Sequence, residues 1–341
     1  MKILYIANYK GCVGGISGQV SLLDKYMREE GHETCIFSTI GNLITRLYRF
    51  MQLLVVARKY DILHIHGCSD RGFLPIVYGI IAGKFWNKRI IVTYHGGNAL
   101  HFLAKKGIFV KKWLNKANQI VVLNGFLENI FREYEIPCQV IPNILECKEK
   151  NVTIDSLSIE QLKRKWGARF ISVRHLKELY NIPCILRAFE QVQRVIPDAS
   201  LTILGEGEQR KLLEHFVIEH HLNNVCFVGQ VPQYEIQHYL AQANIMLSAP
   251  RIDNMPISIM EAMQHGLLVI SSCVGGIPYV LTDDETGLLF ESDNDEELAV
   301  KMIWAVEHPE QAIRIVIAAS EDVKKYSWDV IAPQIRNLYG I

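Results

Sequence analysis

The segment 244–276, NIMLSAPRIDNMPISIMEAMQHGLLVISSCVGG, combines a strand, a loop, a helix and a second strand. Its ends, NIMLSAP and LLVISSCVGG, are β-rich, and the helix-compatible run between them starts near Pro256 and ends at Gly266. Proline suits the first turn of a helix because its missing N–H needs no partner there. Two strands joined by a crossover helix lie parallel. The segment therefore predicts a parallel sheet whose loops gather at the carboxyl ends of the strands.

The same alternation recurs along all 341 residues. The β-rich runs of the first half are KILYIAN, ETCIFST, ILHIHG, RIIVTYHG, QIVVLNG and CQVIPN, and those of the second half begin RFISVRH, ASLTILGEG and NVCFVGQV. A charged stretch at 146–155 separates the two series. We therefore predict an α/β protein of two Rossmann-like doubly wound domains, 1–150 and 151–341, facing a central cleft. Packing of the last helix back onto the N-terminal domain is left open.

Composition excludes several classes of protein. No apolar stretch reaches the roughly 18 residues that a membrane span needs, and MKILYIANYK suits a first strand rather than a signal peptide. The eight cysteines form no CxxC pair, so neither a zinc site nor a disulfide framework is expected, and a cytoplasmic protein fits best. The acidic run ESDNDEEL lacks the glycine of a calcium loop and is expected to cap a helix. His64 and His66 are expected on opposite faces of their strand, which argues against a shared metal ion. No metal and no cofactor are predicted.

The balanced net charge hides an asymmetry. Residues 1–150 carry 20 Lys and Arg against 11 Asp and Glu, and the remaining residues carry 16 against 25. Between Lys84 and Asn118 there are eight basic residues and no acidic one, with aromatic residues interleaved. This pattern suits an anionic membrane surface, with an ordinary solvated face as the alternative. No nucleic-acid partner is predicted.

Two carboxylates, Asp253 and Glu261, occupy a segment with little other charge. Glu261 lies among apolar helix residues, so its carboxylate is expected to be partly buried and to need partners. Its two oxygens only accept hydrogen bonds, which matches neighbouring sugar hydroxyls or a ribose diol. The alternatives are that Glu261 caps a turn or pairs with an arginine, and that Asp253 caps the helix. The amino terminus of this helix also offers amides to a phosphate.

A dinucleotide-binding dehydrogenase is not supported. The glycine run GCVGGISG does not spell GxGxxG, and the second strand ends in Ser38 and Thr39, where an acidic residue would bind a ribose hydroxyl. The later run GEGEQR lacks the third glycine.

The segment PRIDNMPISIMEAMQHGLLVISSCVGGIPYVL, residues 250–281, resembles the donor-binding signature of the retaining glycosyltransferases of family 4, which have the two-domain GT-B fold. Further segments fall in the order of that family and extend the resemblance over essentially the whole chain: YDILHIHG, VTYHGGNAL, QIVVLNGFLENIFREYEI, VIPN, LRAFEQV, DASLTILGEGEQRKLLE and DDETGLLF. The resemblance implies transfer of a sugar, a hexose being favoured, from a nucleotide diphosphate to a hydroxyl, with retention and without a metal.

The resemblance also implies roles for particular residues. Glu261 would hold the nucleotide ribose, Asp253 the donor sugar, and His95 would lie near the reacting carbon; these three are the predicted catalytic residues. The predicted donor-binding residues are Glu261 and eight others: Gly14, Gly15, Arg174, Lys177, Asn254, Met255, Pro256 and Ile257. The expected partners are a nucleotide-sugar donor and a glycan or lipid-linked glycan acceptor, as in cell-envelope or capsular polysaccharide synthesis at the inner face of a membrane.

The sequence departs from the family where an arginine and a lysine usually neutralise the donor diphosphate. Aligned on Leu176 in VRHLKELYN, these positions hold His175 and Tyr180. Arg174 or Lys177 is expected to take over that charge. Three functions stay open: an active transferase, a catalytically degenerate sugar-nucleotide-binding protein of the same fold, and a sugar-nucleotide epimerase.

Overall fold

The computed structural model describes residues 1–11, 15–146 and 159–341. The chain divides into two compact units. Unit 1 consists of Met1–Glu146 together with Tyr326–Ile341, and unit 2 consists of Cys147–Lys325, of which residues 159–325 are described. The predicted boundary at 150/151 lies outside the described residues.

Unit 1 is a parallel six-stranded sheet in the order β2-β1-β3-β4-β5-β6, with helices between the strands. Its first eleven elements are β1 (Lys2–Ala7), α1 (Gly15–Glu29), β2 (Glu33–Ser38), α2 (Leu43–Ala57), β3 (Ile62–Gly67), α3 (Leu74–Phe85), β4 (Arg89–Tyr94), α4 (Ala99–Leu114), β5 (Gln119–Val122), α5 (Gly125–Glu133) and β6 (Gln139–Val140). The central strands are buried along almost their full length, as expected for a sheet covered on both faces.

Unit 2 repeats this architecture in the order β12-β11-β10-β7-β8-β9. Its elements are α6 (Ile159–Lys165), β7 (Arg169–Val173), α7 (Ile182–Val195), β8 (Ser200–Leu204), α8 (Arg210–Glu219), β9 (Val225–Gly229), α9 (Gln233–Leu240), β10 (Ile245–Ser248), α10 (Ile257–Gln264), β11 (Leu268–Ser272), β12 (Leu288–Phe290), α11 (Asp295–Glu307) and α12 (Pro309–Asp322). All pairings between these strands are parallel. The prediction of two Rossmann-like doubly wound domains is confirmed.

Each sheet has one point at which the strand order reverses. In unit 1 the reversal lies between β1 and β3, and in unit 2 it lies between β7 and β10. The loops that leave two such strands run in opposite directions and open a crevice at the carboxyl edge of the sheet. In unit 2 these loops contain Arg174 and Asp253, so the strand order alone brings two of the predicted site residues to one crevice.

The last helix, α13 (Trp328–Tyr339), packs within unit 1. The Trp328 ring stacks on Tyr26 of α1, and Arg89 donates hydrogen bonds to the carbonyl oxygens of Leu338 and Tyr339. The Tyr339 hydroxyl is 2.7 Å from Nδ1 of buried His64. Stacking and buried polar contacts therefore fix the end of the chain to the first sheet.

Several local predictions can be compared directly with the structure. Pro256 is the residue that precedes α10 rather than a residue of its first turn, and the helix ends at Gln264, with Gly266 in the left-handed region at φ +73°. In the acidic run, the Asn294 side chain accepts a hydrogen bond from the Glu297 amide and caps α11, as expected. None of the helices in the described ranges has the length and apolarity required to traverse a bilayer.

Acidification should weaken unit 1 through His64. Both ring nitrogens of His64 contact hydroxyls, those of Tyr339 and Thr93, each at 2.7 Å. Burial, with repulsion from His95 as the second cause, lowers the pKa of His64 to about 3. The unfolded chain binds this proton below about pH 6.5, whereas the folded chain binds it only near pH 3. The contribution of His64 to the free energy of unfolding is therefore fully present above about pH 6.5. It is lost as the pH falls towards 3, at up to about 1.4 kcal/mol per pH unit for one histidine.

Urea unfolding at pH 7, 6 and 5 measures this dependence, and His64→Gln should make it shallower. The exposed His101 provides the control, because His101→Gln should leave the slope as it is in the wild type. Parallel pH profiles for the wild type and His64→Gln would contradict the assignment.

Candidate functional site

Four loops meet at the carboxyl edge of the unit 2 sheet. The loops after β7 and β8 are joined by a hydrogen bond from the Arg174 amide to the Leu204 carbonyl, and the loops after β10 and β11 by one from the Gly276 amide to the Asp253 carbonyl. A Cβ atom on Gly205 would lie 1.9 Å from the Arg174 oxygen, and one on Gly275 would lie 2.0 Å from the Asp253 oxygen. Only glycine allows these backbones to approach so closely.

An ion pair joins the loops on the two sides of the strand reversal. A terminal nitrogen of Arg174 lies 2.7 Å from Oδ2 of Asp253, and both side chains are largely buried, with exposures of 12% and 17%. The guanidinium also lies over the ring of Tyr180, 5.2 Å from its centroid. Asp253 is further held through Oδ1, which accepts a hydrogen bond from the Asn254 amide at 2.8 Å. The chain thus presents an arginine and a carboxylate at one fixed point of the crevice.

The hydrogen-bonding capacity of this pair is not used up. The 2.7 Å approach brings the charges together, but the N–H bonds do not point along it. Arg174 Nε and Nη2 and Asp253 Oδ2 are therefore buried without a hydrogen bond to any described residue. Leaving such groups unsatisfied costs free energy comparable to their desolvation. Two donors and one acceptor side by side suit a ligand that combines anionic oxygens with hydroxyl groups.

The amino terminus of α10 lies directly after the Asp253 loop. Asn254, Met255 and Pro256 are buried, and Ile257 begins the helix and is half-buried. The Ser258 hydroxyl, in the first turn, is buried and has no hydrogen-bond partner among the described residues. The helix dipole and this hydroxyl together make this end of α10 suitable for an anion.

Glu261 occupies the same helix one turn further on. It is half-buried, and its Oε1 accepts a hydrogen bond from the Nε2 amide of Gln233, the first residue of α9. The sequence did not single out Gln233, because one glutamine after a proline carries no recognisable pattern. The contact orients one oxygen of the Glu261 carboxylate.

The cationic residues beside the pair differ in burial. Lys177 and His175 are exposed, in contrast to Arg174. Burial raises the pKa of the Tyr180 phenol, which therefore stays neutral beside the guanidinium. In this chain an aromatic ring packs on Arg174 at the position where the resemblance led us to expect a second cation.

In unit 1 the predicted residues lie at the carboxyl edge of the first sheet. Gly15 begins α1 with φ +52°, whereas Gly14 lies outside the described residues. His95 follows β4, and its Nε2 is 3.0 Å from Nδ1 of His66. Burial lowers the pKa of His95 to about 4, so its ring is neutral near pH 7. His95 can therefore take part in hydrogen bonds but supplies no charge.

The prediction that His64 and His66 lie on opposite faces is wrong. Their ring centroids are 4.3 Å apart. Side chains alternate along a strand, so residues two apart share a face. Both rings border a cavity of about 30 Å³, and His66 Nε2 is buried without a hydrogen bond to any described residue. A cavity of this size can hold a water molecule or two.

Metal-binding groups do not assemble in the part of the chain that the structure describes, where no group of three or more His, Cys, Asp and Glu side chains could hold an ion. His64 instead contacts the Thr93 hydroxyl, and His66 contacts His95.

Comparison with known proteins gives matches over both halves of the chain. The family model described as glycosyl transferases group 1 matches residues 155–322, and that of glycosyltransferase family 4 matches residues 30–149. An uncharacterised glycosyltransferase of Methanocaldococcus jannaschii is 20% identical over 99% of this chain and 98% of its own length. The phosphatidyl-myo-inositol mannosyltransferase of Mycolicibacterium smegmatis is 28% identical over 99% of this chain and 93% of its own. The crystal structure of Anabaena HepE with UDP and glucose superposes with a TM-score of 0.79 at 16% identity, covering 100% and 99% of the two chains.

Proposed function

This chain belongs to the group 1 glycosyltransferases of the family 4 type, and from that premise we propose that it moves a hexose from a nucleotide-diphosphate donor to a hydroxyl acceptor with retention of configuration. The observation that carries the proposal is the buried pair of Arg174 and Asp253, which keeps unused donors and an acceptor beside the amino terminus of α10. A diphosphate joined to a sugar offers anionic oxygens and hydroxyls in one molecule, which is what these groups can bind.

The donor is proposed to be a nucleotide sugar. Support comes from HepE, which shares the fold and has been solved with UDP and glucose, and from the mannosyltransferase relative. In this proposal Glu261, oriented by Gln233, accepts hydrogen bonds from the ribose hydroxyls, and Asp253 and the backbone of Asn254–Ile257 hold the sugar and diphosphate. No cofactor takes part.

The proposed chemistry relies on positioning and on charge. The bond from the sugar to the diphosphate breaks and a bond to the acceptor oxygen forms on the same face, while the leaving phosphate assists by taking up the acceptor proton. No side chain of the protein is needed as a nucleophile. The Arg174 guanidinium, the Lys177 ammonium and the α10 amides would stabilise the negative charge that grows on the leaving group. Neutral His95 would offer a hydrogen bond near the reacting carbon.

The acceptor is proposed to be a glycan or a lipid-linked glycan of the cell envelope or capsule, reached by a cytoplasmic protein at the inner face of the membrane. The basic segment Lys84–Asn118 of unit 1 supports this, since it would attract an anionic surface. Lys111 pairs with Glu135, whereas Lys84, Lys105, Lys106 and Lys112 are exposed and available to such a surface.

One observation favours a second function, that of a sugar-nucleotide-binding protein without catalysis. His175 and Tyr180 replace the usual arginine and lysine, and Tyr180 packs on Arg174 rather than supplying charge. A chain with a weakened diphosphate site could bind a sugar nucleotide without turnover. An epimerase of similar fold would convert one nucleotide sugar into its epimer, without forming a new glycosidic bond.

The first prediction concerns the products. Incubation with the preferred donor and an acceptor should yield nucleotide diphosphate and a new glycosidic bond of retained configuration in equal amounts, as measured by mass spectrometry and NMR. A thermal-shift screen of UDP-, GDP- and ADP-sugars selects the donor, because a ligand that binds only the folded state raises the melting temperature. EDTA should leave the initial rate unchanged, since cationic side chains and amides neutralise the diphosphate. Activity lost with EDTA and restored by a divalent ion would refute metal independence.

The second prediction concerns Glu261. In Glu261→Gln an acceptor oxygen becomes an N–H donor facing a ribose hydroxyl, which also removes a charge-assisted hydrogen bond worth about 1.5 to 3 kcal/mol. Calorimetry should show tenfold to hundredfold weaker binding of the selected nucleoside diphosphate. Glu285→Gln, an exposed change on another loop, should bind like the wild type. Equal affinities for all three proteins would rule out the ribose role.

The third prediction separates Arg174 from Lys177. Arg174→Ala removes a buried positive charge and leaves Asp253 without its partner, so kcat/KM should fall by roughly a hundredfold or more. Lys177→Ala removes an exposed cation and should cost less than tenfold. Arg174→Lys keeps the charge but loses the planar group that packs on Tyr180, and should fall between them.

Arg251→Ala provides the matched control, because Arg251 also pairs with an aspartate at this edge of the sheet, Asp293, but is more exposed. Melting temperatures show whether Arg174→Ala stays folded. Suppose that neither alanine variant changes turnover, and that His175→Arg combined with Tyr180→Lys creates activity absent from the parent. The chain would then be the degenerate binding protein.

A further inference from the structure

Three adjacent helices of unit 1, none of which contains an acidic residue, form one face of the unit. We call it the α2–α4 face, made of Leu43–Ala57, Leu74–Phe85 and Ala99–Leu114. Right-handed crossovers place these helices on the same side of the sheet, and α3 packs against both α2 and α4. Their sequences contain seven Lys and Arg residues and no Asp or Glu. Such a one-sided composition is unusual for helices that face water.

The outer side of α2 carries a stripe of large apolar side chains. Ile44, Leu47, Tyr48, Met51 and Val55 are all exposed, Ile44 at 80%. Their spacings of three, one, three and four residues put them along one side of the helix. Helices at the surface of a globular protein normally direct polar residues to this side.

The opposite side of α2 is apolar for an ordinary reason, since Leu53 and Ala57 belong to the core of unit 1. The outer stripe therefore does not stabilise the fold, and a contiguous exposed apolar patch of this kind marks an interaction surface.

The neighbouring helices α3 and α4 also expose apolar side chains, with lysines beside them. Phe85 ends α3, and α4 exposes Ile108 at 90% next to half-exposed Phe109. Lys84, Lys105, Lys106 and Lys112 lie among these side chains and are exposed. Apolar groups thus project from three helices whose own formal charges are all positive, with the carboxylate of Glu135 beside them, paired with Lys111.

We propose that the α2–α4 face docks onto an anionic lipid bilayer, with the outer stripe of α2 inserted among the head groups and acyl chains and the lysines of α3 and α4 on the lipid phosphates. Bilayer binding itself does not depend on the proposed function. Only its purpose does, because a transferase held at the bilayer reaches lipid-linked acceptors. It goes beyond the electrostatic role of Lys84–Asn118, since it adds an apolar element that salt does not screen.

Charge complementarity selects this occupant over two others. A second copy docked through the same face would bring two positive faces together, and like charges across an interface oppose association. A nucleic acid would satisfy the lysines but not a stripe that is mainly aliphatic, for which it offers no matching surface. An anionic bilayer satisfies both, because basic residues contact its head groups while apolar side chains enter its boundary layer.

Vesicle flotation tests the proposal with the full-length chain. The wild type should bind vesicles containing phosphatidylglycerol, bind pure phosphatidylcholine weakly, and keep part of its binding in 0.5 M salt. Leu47→Asp combined with Met51→Asp should lower the affinity for anionic vesicles at least tenfold and abolish the salt-resistant part. Lys105→Ala with Lys106→Ala and Lys112→Ala should remove mainly the salt-sensitive part.

Ile218→Asp combined with Val300→Asp provides the matched control, because it changes two exposed apolar residues on α8 and α11 and should bind like the wild type. Nucleoside diphosphate binding should be the same in all variants, which separates failure of docking from failure of the proposed function. Absent vesicle binding in the wild type, or equal binding by the α2 variant, would overturn the proposal. So would a dimer, detected by light scattering, that the α2 changes dissociate.

Discussion

The pairing of Arg174 with Asp253 depends on the strand order of unit 2. Because β7 and β10 are neighbours whose following loops run in opposite directions, the two side chains leave adjacent strand ends and meet across the crevice between them. Close approach of glycine backbones on both sides, at Gly205 and Gly275, closes the four loops around the pair. A buried ion pair contributes little to stability when its desolvation is counted. Its value here lies in keeping directed donors and an acceptor at one fixed position.

The fold could be predicted from the sequence because its signal is repeated. Every strand of a parallel sheet buried on both faces is an apolar run, and each is followed by a helix-compatible segment, so an error at one element does not alter the whole. The same pattern predicts that the site lies at the carboxyl edge of the sheet. Arg174, Asp253 and the start of α10 are therefore expected in one crevice. The assignment of the chain to its family is confirmed by models that match both halves.

Side-chain contacts between separate elements could not be predicted in this way. The hydrogen bond from Gln233 to Glu261 joins residues 28 apart, and no local pattern relates them. The packing of Tyr180 on Arg174 depends on how a short turn folds back, which a missing lysine does not reveal. The error at His64 and His66 was different, since the period of two in a strand already puts both rings on one face. That contact could have been found, and with it the link from His66 to His95.

Much of the positive charge of the first half is concentrated on one face of unit 1. Helix α1 lies on the other side of the sheet from the α2–α4 face, and its two acidic residues, Asp24 and Glu29, are balanced by Lys25 and Arg28. The seven Lys and Arg residues of α2, α3 and α4 are not balanced by any acidic residue on those helices, and such a concentration of one charge orients a protein before it touches a charged surface. The lysines also oppose contact between two such faces, which disfavours self-association through the apolar stripe of α2. Orientation by charge and retention by apolar contact are therefore complementary parts of one surface.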